Sequence, residues 1–259
     1  MIDLHCHVLP GVDDGPATLD EALALVLQAS GDGITTIAAT PHVDWTHPAV
    51  DAATVAAGVA ELQAAIDAAG IDVRLAAGAE VALTRAADLD AAELAALRLG
   101  GGPWLLLECP IRPAETPGFA AGARALARQG HRLLLAHPER SPVFLRAPEL
   151  LDELVAEGAL AQVTAGALSG VFGGTVRRAA VGFVHAGAVQ VVASDGHGAH
   201  RPATIGPHLA AAGIDPSLAS WLARDVPAAV LAGTPIPRRP DVPPPGDTPR
   251  RSLRRLLGR

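Results

Sequence analysis

The first residues of the chain place an aspartate and two histidines at alternate positions. Asp3, His5 and His7 are each separated by one residue, so in an extended strand their side chains point to the same side. Two imidazoles held in this way can bind one cation, at about 2.0 to 2.1 Å for zinc. The alternative is a pair of histidines that serve only the structure of the strand end, and the motif alone favours neither.

Further carboxylates and histidines follow apolar stretches along the chain. They are Asp14, His42, Glu80, Glu108, His137, Asp195 and His197. A carboxylate that ends an apolar strand risks burial, and burial without a partner costs several kcal/mol or forces protonation. Each residue also has a structural alternative, such as a simple turn at Asp13-Asp14-Gly15. Taken together, however, so many like charges would repel one another unless cations neutralised them.

The elements that must position these side chains are seven short apolar segments. They are predicted as strands at residues 2–5, 35–39, 73–77, 104–108, 132–136, 161–164 and 189–193. Stretches with helical period lie between them, near residues 18–31, 51–69, 90–98, 117–129, 148–157 and 175–186. This alternation predicts a parallel sheet with right-handed crossovers, and seven units favour an α/β barrel. Because strand ends of one polarity share a rim, the nine candidate ligands should converge.

Four glycines support the predicted boundaries between helices and strands. Each follows a helical stretch and precedes an apolar segment, where a left-handed residue commonly ends a helix; they are Gly33, Gly70, Gly130 and Gly158.

The composition changes after Gly233. Residues 234–249 are rich in proline, and residues 250–259 form a short basic amphipathic stretch. We therefore predict one barrel domain over residues 1–233 and a flexible tail over residues 234–259. A solvated appendage is the simpler interpretation of this tail, and a contact with a membrane surface or a partner is the alternative.

Composition and charge exclude several classes of protein. Hydrophobic residues make up 49% of the chain, which excludes disorder for most of its length. The net charge of −7 argues against a nucleic-acid partner. Neither a signal-peptide pattern nor an apolar run of about 18 residues is present, so a cytoplasmic location is expected. Cys6 and Cys109 are expected as free thiols, and neither has the arginine six positions later that a cysteine-based phosphatase needs.

The motifs, in their order along the chain, resemble those of the polymerase and histidinol phosphatase (PHP) superfamily. The resemblance is carried by residues 1–15, Thr40-Pro-His42, Gly78-Ala-Glu80, Leu107-Glu108, Ala136-His-Pro-Glu-Arg140, Ser194-Asp-Gly-His197 and Arg201-Pro202. Within the superfamily the chain is most similar to the bacterial manganese-dependent protein-tyrosine phosphatases of capsule and exopolysaccharide synthesis. The similarity runs from Met1 to about Gly233.

This resemblance implies a distorted (β/α)7 barrel of the PHP type with three divalent metal ions. Manganese is the expected metal, with iron, zinc or magnesium as alternatives. The implied ligands are His5, His7, Glu80 and Asp195 for the first ion, Glu80, Glu108 and His137 for the second, and Asp14, His42 and His197 for the third. Arg140 and Arg201 would bind phosphate oxygens, and together with His42 they are the candidate catalytic residues.

The implied activity is hydrolysis of a phosphoric monoester, with attack of a metal-activated hydroxide on phosphorus. The expected substrate is a phosphotyrosine protein, namely a membrane-associated bacterial tyrosine kinase of capsule synthesis, and a homo-oligomer is left open. One alternative is a histidinol-phosphate or other small-molecule phosphatase on the same centre. Another is a non-catalytic, metal-binding regulatory module. The insert at residues 43–48, which includes Trp45, falls where substrate loops would lie and therefore bears on specificity.

Overall fold

Parallel strands run through the part of the chain that the structure describes, residues 1–242. In this computed structural model the strands are β1 (Ile2–Cys6), β2 (Thr36–Ala39), β3 (His42–Val43), β4 (Arg74–Ala77), β5 (Glu80–Ala82), β6 (Trp104–Glu108), β7 (Arg132–Ala136), β8 (Leu160–Thr164) and β9 (Val191–Ala193). They form one sheet in the order β1-β2-β4 and a second in the order β3-β5-β6-β7-β8-β9. All pairings between these strands are parallel, as predicted.

The strands predicted at residues 35–39 and 73–77 are each followed by a further short strand that the sequence pattern does not predict. Thr40 and Pro41 separate β2 from β3, and Gly78 and Ala79 separate β4 from β5. Pro41 has no backbone N–H to give to a strand ladder, although its carbonyl accepts from the backbone N of Glu80 at 3.1 Å. A Cβ on Gly78 would lie 2.8 Å from a methyl group of Leu99. These bends pass the two strands from the first sheet into the second.

The last strand returns to the first one. The backbone N of Asp195, just after β9, donates to the carbonyl of His5 at 2.8 Å, and the backbone N of His7 donates to the carbonyl of Gly196 at 2.8 Å. Cys6 and Gly196 form an isolated parallel bridge between these segments. The strands therefore follow one another around a distorted (β/α)7 barrel, as predicted.

Helices connect the strands on the outside of this arrangement. Their bounds are α1 (Leu19–Gly31), α2 (Ala52–Ala68), α3 (Leu83–Ala86), α4 (Ala91–Ala96), α5 (Phe119–Arg128), α6 (Pro142–Arg146), α7 (Glu149–Ala156), α8 (Ala165–Ser169), α9 (Gly174–Ala186), α10 (Gly206–Ala211), α11 (Pro216–Ser220) and α12 (Val226–Ala232). The six predicted helices correspond to α1, α2, α4, α5, α7 and α9. The four glycines named above have φ values of 83°, 69°, 91° and 107°, which confirms their predicted place at helix ends.

Local chemistry explains where the long helices begin. Thr18 accepts a hydrogen bond from the backbone N of Glu21 at the start of α1. Asp51 accepts from the backbone N of Thr54 at 2.8 Å at the start of α2. Such caps satisfy backbone donors that have no partner inside the helix, and each contributes about 1 kcal/mol.

The core lies between the strands and these helices. Leu105 to Leu107 in β6 and Leu133 to Leu135 in β7 are all buried, as expected for parallel strands that are covered on both faces. Each fully buried leucine contributes about 1.5 to 3 kcal/mol. The strands therefore form a rigid base for the polar residues at their ends.

The first part of the predicted tail contacts the barrel. The indole N–H of Trp221 donates to the carbonyl of Pro237 at 2.9 Å, and Arg239 donates to the carbonyl of Val184 at 2.9 Å. Ile236 packs against the core. Residues 243–259 lie outside the described residues, and the domain boundary at residue 233 stays a prediction. Within residues 1–242 no helix combines the length and apolar character that crossing a bilayer requires.

Candidate metal centre

Nine side chains meet at the ends of the barrel strands. They come from β1 and the loop after it (His5, His7, Asp14), from β3 and β5 (His42, Glu80), from the end of β6 (Glu108), and from the segments after β7 and β9 (His137, Asp195, His197). Six of the nine are buried, namely His5, His7, Glu80, His137, Asp195 and His197. Asp14 is the most open, with 59% of its side chain exposed. The sequence prediction of convergence therefore agrees with the geometry.

Glu80 lies at the middle of the cluster. One of its oxygens, Oε2, is 3.2 Å from His5 Nε2, 3.4 Å from His7 Nε2 and 3.1 Å from His42 Nδ1. The other oxygen, Oε1, is 2.7 Å from His137 Nε2. The two oxygens thus serve different imidazoles, as a carboxylate shared between two cations would.

The first group of donors surrounds His5 and His7. Their Nε2 atoms lie 3.1 Å apart, and Asp195 Oδ1 is 3.5 Å from the first and 3.6 Å from the second. His5, His7 and Glu80 offer ligand atoms that all lie within 4.8 Å of one another. Nitrogen and carboxylate donors at this spacing match a site for a transition-metal ion.

A second group lies on the Glu108 side of Glu80. His42, Glu80 and Glu108 offer ligand atoms within 4.8 Å of one another. The resemblance assigns His137, rather than His42, to this position. His137 reaches the group through Oε1 of Glu80, at 2.7 Å.

The third group contains four donors. His7, Asp14, His42 and His197 have ligand atoms within 4.8 Å of one another. Asp14 Oδ1 is 3.2 Å from His197 Nε2 and 3.6 Å from His42 Nε2. Asp14, His42 and His197 are the three ligands that the resemblance implies for the third ion, and here they lie together.

Two of the candidate ligands have an unusual backbone conformation. Among the described residues, His137 and Asp195 are the only non-glycine residues with positive φ, at 38° and 53°. This left-handed region is uncommon for residues with a Cβ and is found often at functional sites. His137 comes directly after β7, and Asp195 is separated from the end of β9 by one residue, so each turn redirects a side chain into the cluster.

Burial and neighbouring charged groups shift the pKa values of the side chains in the cluster. Burial raises the pKa of Glu108 to about 9, and the charge of Glu80 adds to this. Burial lowers the pKa of His7, but the hydrogen bond to Asp13 and the negative charge of Glu80 outweigh it and raise the pKa to about 10. Burial lowers the pKa of His197 to about 4. Cations that bind imidazole and carboxylate groups displace such protons, so metal loading should release protons.

Buried atoms without partners show that the site suits cations. Within the described residues, His42 Nδ1, Glu80 Oε2 and His137 Nδ1 are buried and make no hydrogen bond. Polar atoms left in this way cost free energy. In particular, Glu80 Oε2 has three ring nitrogens within 3.4 Å but no hydrogen bond to any of them. A cation between oxygen and nitrogen donors would satisfy this arrangement.

The two candidate phosphate-binding arginines flank Asp195. Arg140 Nη1 is 2.7 Å from Asp195 Oδ2, and Arg201 Nη2 is 2.7 Å from Asp195 Oδ1. Their side chains are 15% and 23% exposed, so part of each guanidinium faces outward. The guanidinium of Arg140 also lies 4.6 Å from the ring centroid of Phe172. Guanidinium groups held in this way suit the planar recognition of phosphate oxygens.

Two residues that sequence reasoning did not single out hold the histidine rings. Asp13 Oδ2 accepts from His7 Nδ1 at 2.7 Å, and Gln162 Oε1 accepts from His5 Nδ1 at 2.9 Å. The Asp13-Asp14-Gly15 motif indicates a turn and a candidate ligand at Asp14, and nothing in it assigns a role to Asp13. A glutamine in the middle of the apolar strand β8 is a signal that could have revealed the role of Gln162, because a buried amide needs a partner.

Glu139, within the predicted His-Pro-Glu-Arg motif, has a different role from its neighbours. Its Oε1 accepts from the backbone N of Thr164 at 2.9 Å, and burial raises its pKa to about 7. Glu139 therefore fastens the turn after β7 to the end of β8. It is not part of the three donor groups described above.

Both cysteines are free thiols, as predicted. Cys6 and Cys109 are buried, and burial raises the pKa of each thiol well above its ordinary value. A thiol in this state is a poor nucleophile. This agrees with the exclusion of a cysteine-based phosphatase.

Comparison with known proteins gives consistent matches. The family model described as "Capsular polysaccharide synthesis, CpsB/CapC" matches residues 1–212. Tyrosine-protein phosphatase YwqE of Bacillus subtilis (strain 168) is 32% identical over 198 residues, which cover 76% of this chain and 77% of YwqE. Putative tyrosine-protein phosphatase CapC of Staphylococcus aureus is 31% identical over 198 residues, or 76% of this chain and 77% of CapC.

A solved structure matches over almost the whole chain. It comes from a study of YwqE from Bacillus subtilis and CpsB from Streptococcus pneumoniae, described as unique metal-dependent tyrosine phosphatases. The TM-score is 0.81 with 27% sequence identity, over 94% of this chain and 99% of the other.

Proposed function

This chain belongs to the CpsB/CapC family of capsular polysaccharide synthesis, and we propose that it is a metal-dependent tyrosine-protein phosphatase. One observation carries the proposal: eight histidine and carboxylate side chains gather around Glu80, with two arginines beside them. The names of the relatives YwqE and CapC support the same activity.

The proposed cofactor is a set of three divalent cations, with manganese as the expected metal. His5, His7, Glu80 and Asp195 would hold one, Glu80, Glu108 and His137 another, and Asp14, His42 and His197 the third. When bound, such cations withdraw charge from phosphoryl oxygens and lower the pKa of water. The unpartnered Oε2 of Glu80 and its neighbouring ring nitrogens support this assignment.

The protein's own groups would bind and orient the phosphate. Arg140 and Arg201 each offer guanidinium N–H groups at the edge of the cluster, and these would bind the phosphoryl oxygens and stabilise charge that develops on them. His42, which lies between Glu80 and Asp14 and is 16% exposed, would face the substrate side. Because a tyrosyl leaving group has a conjugate-acid pKa near 10, it needs little proton donation from a side chain.

The insert at residues 43–48 is proposed to contact the polypeptide around the phosphotyrosine. It follows His42 directly, and Asp44 holds its turn by accepting from the backbone N of Thr46 at 2.8 Å and of His47 at 2.7 Å. Trp45 is 59% exposed, with the guanidinium of Arg85 4.9 Å from its ring centroid. An exposed tryptophan held by an arginine offers a large apolar surface to a protein substrate.

The proposed substrate is a phosphotyrosine protein, and within it the finer proposal is a membrane-associated tyrosine kinase of capsule synthesis. The family's place in capsular polysaccharide synthesis supports this choice. The cytoplasmic location that the sequence favours fits a substrate phosphorylated in that compartment, and it stays a prediction. An oligomer is likewise left to experiment.

The test compares wild-type protein with Glu80→Gln, which keeps the shape of the side chain but removes its charge. Protein treated with chelator and then supplied with Mn²⁺ is assayed on a phosphotyrosyl peptide and on histidinol phosphate, and its metal content is measured. We expect the wild type to prefer the peptide and Glu80→Gln to lose at least about a hundredfold in kcat/KM, equivalent to about 2.7 kcal/mol, together with bound metal.

The matched control is Glu61→Gln, on the exposed face of α2. This variant should retain the activity and the metal content of the wild type. Full activity of Glu80→Gln, or of the chelator-treated wild type before Mn²⁺ is added, would refute metal dependence at this site. A preference for histidinol phosphate would replace the protein substrate with a small one, and metal binding without turnover would favour the regulatory alternative.

A further inference from the structure

Asp13 makes more contacts with the candidate metal centre than its place in a turn would require. Its side chain is fully buried against His7. Oδ2 accepts from His7 Nδ1 at 2.7 Å and from the backbone N of His42 at 3.0 Å. Oδ1 accepts from the backbone N of Gly15 at 3.0 Å. One carboxylate therefore joins the end of β1, the start of β3 and the loop between β1 and α1.

The contact with His7 fixes which nitrogen of the ring faces the cluster. An ionised carboxylate can only accept, so Nδ1 of His7 must donate to it. This leaves Nε2 directed at Glu80 Oε2, at 3.4 Å, and at Asp195 Oδ1, at 3.6 Å. Histidines that bind metals through one nitrogen are held in this way through the other, which sets the ring orientation and raises the basicity of the binding nitrogen.

The contact with Gly15 fixes the neighbouring carboxylate. Asp13 Oδ1 and the N–H of Gly15 close a turn around Asp14, whose Oδ1 is thereby held 3.2 Å from His197 Nε2. The turn lies so close to β1 that a Cβ on Gly15 would be 2.3 Å from the carbonyl oxygen of His7. The position of Asp14 thus depends on the hydrogen bonds of Asp13.

Through its contact with the backbone of His42, Asp13 is joined to a third residue of the same donor group. His7, Asp14 and His42 are three of the four members of one donor group, the fourth being His197. Each of the three is joined to Asp13 by a direct hydrogen bond or by the turn that it closes. Gln162 also orients a ring, that of His5, but through a neutral amide and with a single contact to the cluster.

We infer that Asp13 is a positioning residue for the cation site formed by His7, Asp14, His42 and His197, and is not itself a ligand. This inference rests on the proposed metal-dependent function. It requires that the loss of Asp13 weaken cation binding by the intact neighbouring ligands. A residue that merely formed a turn would affect the stability of the fold and leave cation affinity unchanged.

The experiment measures Mn²⁺ affinity and stoichiometry by calorimetric titration of the full chain after chelator treatment. The variants are Asp13→Ala, Asp13→Asn and, as a matched control, Asp51→Ala. Asp51 is also an aspartate that accepts a backbone N–H, but at the start of α2. Urea unfolding in chelator, measured on the same samples, reports any general loss of stability.

We expect Asp13→Ala to weaken binding of at least one Mn²⁺ ion by about 10- to 100-fold. Asp13→Asn should show a smaller loss, because its single amide oxygen can still accept from His7 while its NH₂ group meets the N–H of Gly15. Asp51→Ala should lose stability, as cap removal does, with Mn²⁺ affinity unchanged.

Wild-type affinity and stoichiometry in Asp13→Ala would overturn the inference. So would an equal loss of affinity in Asp51→Ala, because the effect would then follow stability rather than position. The affinities are read without any substrate. A wild type that binds Mn²⁺ but hydrolyses no phosphotyrosyl peptide would therefore refute the proposed function, while the expected order of affinities would still support the role of Asp13.

Discussion

Substitutions at His137 can separate what its ring does from what its backbone requires. The ring places Nε2 2.7 Å from Glu80 Oε1, and a hydrogen bond to a charged group contributes about 1.5 to 3 kcal/mol. The backbone is left-handed, with φ at 38° and ψ at 52°, which costs a residue with a Cβ roughly 1 to 2 kcal/mol. His137→Ala and His137→Gly both remove the ring, but only glycine removes the backbone strain.

Both variants should lose about a thousandfold in kcat/KM on p-nitrophenyl phosphate with Mn²⁺ present. A metal contributes several kcal/mol to stabilising a phosphoryl transition state, and about 4 kcal/mol corresponds to this factor. In urea unfolding with chelator, however, His137→Gly should be the more stable variant by about 1 kcal/mol. Both should remain folded.

His185 in α9 provides a control in which the order of the two variants is reversed. In a helix, glycine is less favourable than alanine by about 0.5 to 1 kcal/mol. His185→Ala should therefore have the larger free energy of unfolding of the two variants, and both should keep their activity. If His137→Gly is no more stable than His137→Ala, the argument from backbone strain is wrong. If His137→Ala keeps the wild-type turnover, His137 has no place in the site.

Three further outcomes are expected from substitutions elsewhere. Gly15→Ala should destabilise the protein and weaken Mn²⁺ binding, because its Cβ would lie 2.3 Å from a backbone oxygen. The Cβ of Gly31→Ala would meet nothing within 4 Å, so this variant should gain up to about 1 kcal/mol in the free energy of unfolding measured in urea. Burial and a neighbouring arginine lower the pKa of His131, so the unfolded chain binds more protons than the folded one as the pH falls below about 6.5, and stability is lost there. In unfolding measured from pH 7 to pH 4, His131→Gln should lose less stability towards acid than the wild type. The same dependence of unfolding free energy on pH in both proteins would contradict this role of His131. Trp45→Ala should lower kcat/KM about tenfold on a phosphotyrosyl peptide and less than twofold on p-nitrophenyl phosphate, while the equally exposed Leu27→Ala should change neither; equal losses on both substrates would refute a role in protein recognition.

The strands and most of the candidate ligands could be predicted because they share one local pattern. An apolar segment ends abruptly in histidine or a carboxylate, as Leu133 to Leu135 does before His137, and parallel topology then brings such ends to one rim. The pattern at each strand end is local, and the convergence of such ends follows from parallel topology in general. No long-range information is needed to predict that Glu80, Glu108 and His137 lie together.

The interruptions of the second and third strands could not be predicted in the same way. The predicted strands end before Thr40-Pro41 and Gly78-Ala79, but each strand resumes as β3 or β5. The resumption depends on tertiary contacts, such as the bond from the backbone N of Glu80 to the carbonyl of Pro41. The sequence pattern shows where each strand is interrupted, but it does not show which backbone group elsewhere in the fold forms the hydrogen bonds that let the strand continue.

Asp13 and the last helices are two further features that the sequence pattern does not predict. Asp13 and Asp14 are adjacent and chemically identical, and only the fold directs one to the ring of His7 and the other towards His197. Helices α10, α11 and α12 are short, and a π-helical turn at Trp221–Asp225 joins the last two, just before Pro227. Their weak periodicity gives no clear signal, and packing on the barrel decides their form.

The backbone bonds between the segments after β1 and β9 also determine when the centre can exist during synthesis. His5 and His7 leave the ribosome well before Asp195 and His197, which face them and follow about 190 positions later. A nascent chain therefore lacks part of its ligand set until the barrel is nearly complete. Contacts so distant in sequence form late in folding, so hydrolytic activity should arise only once the whole ring of strands has formed.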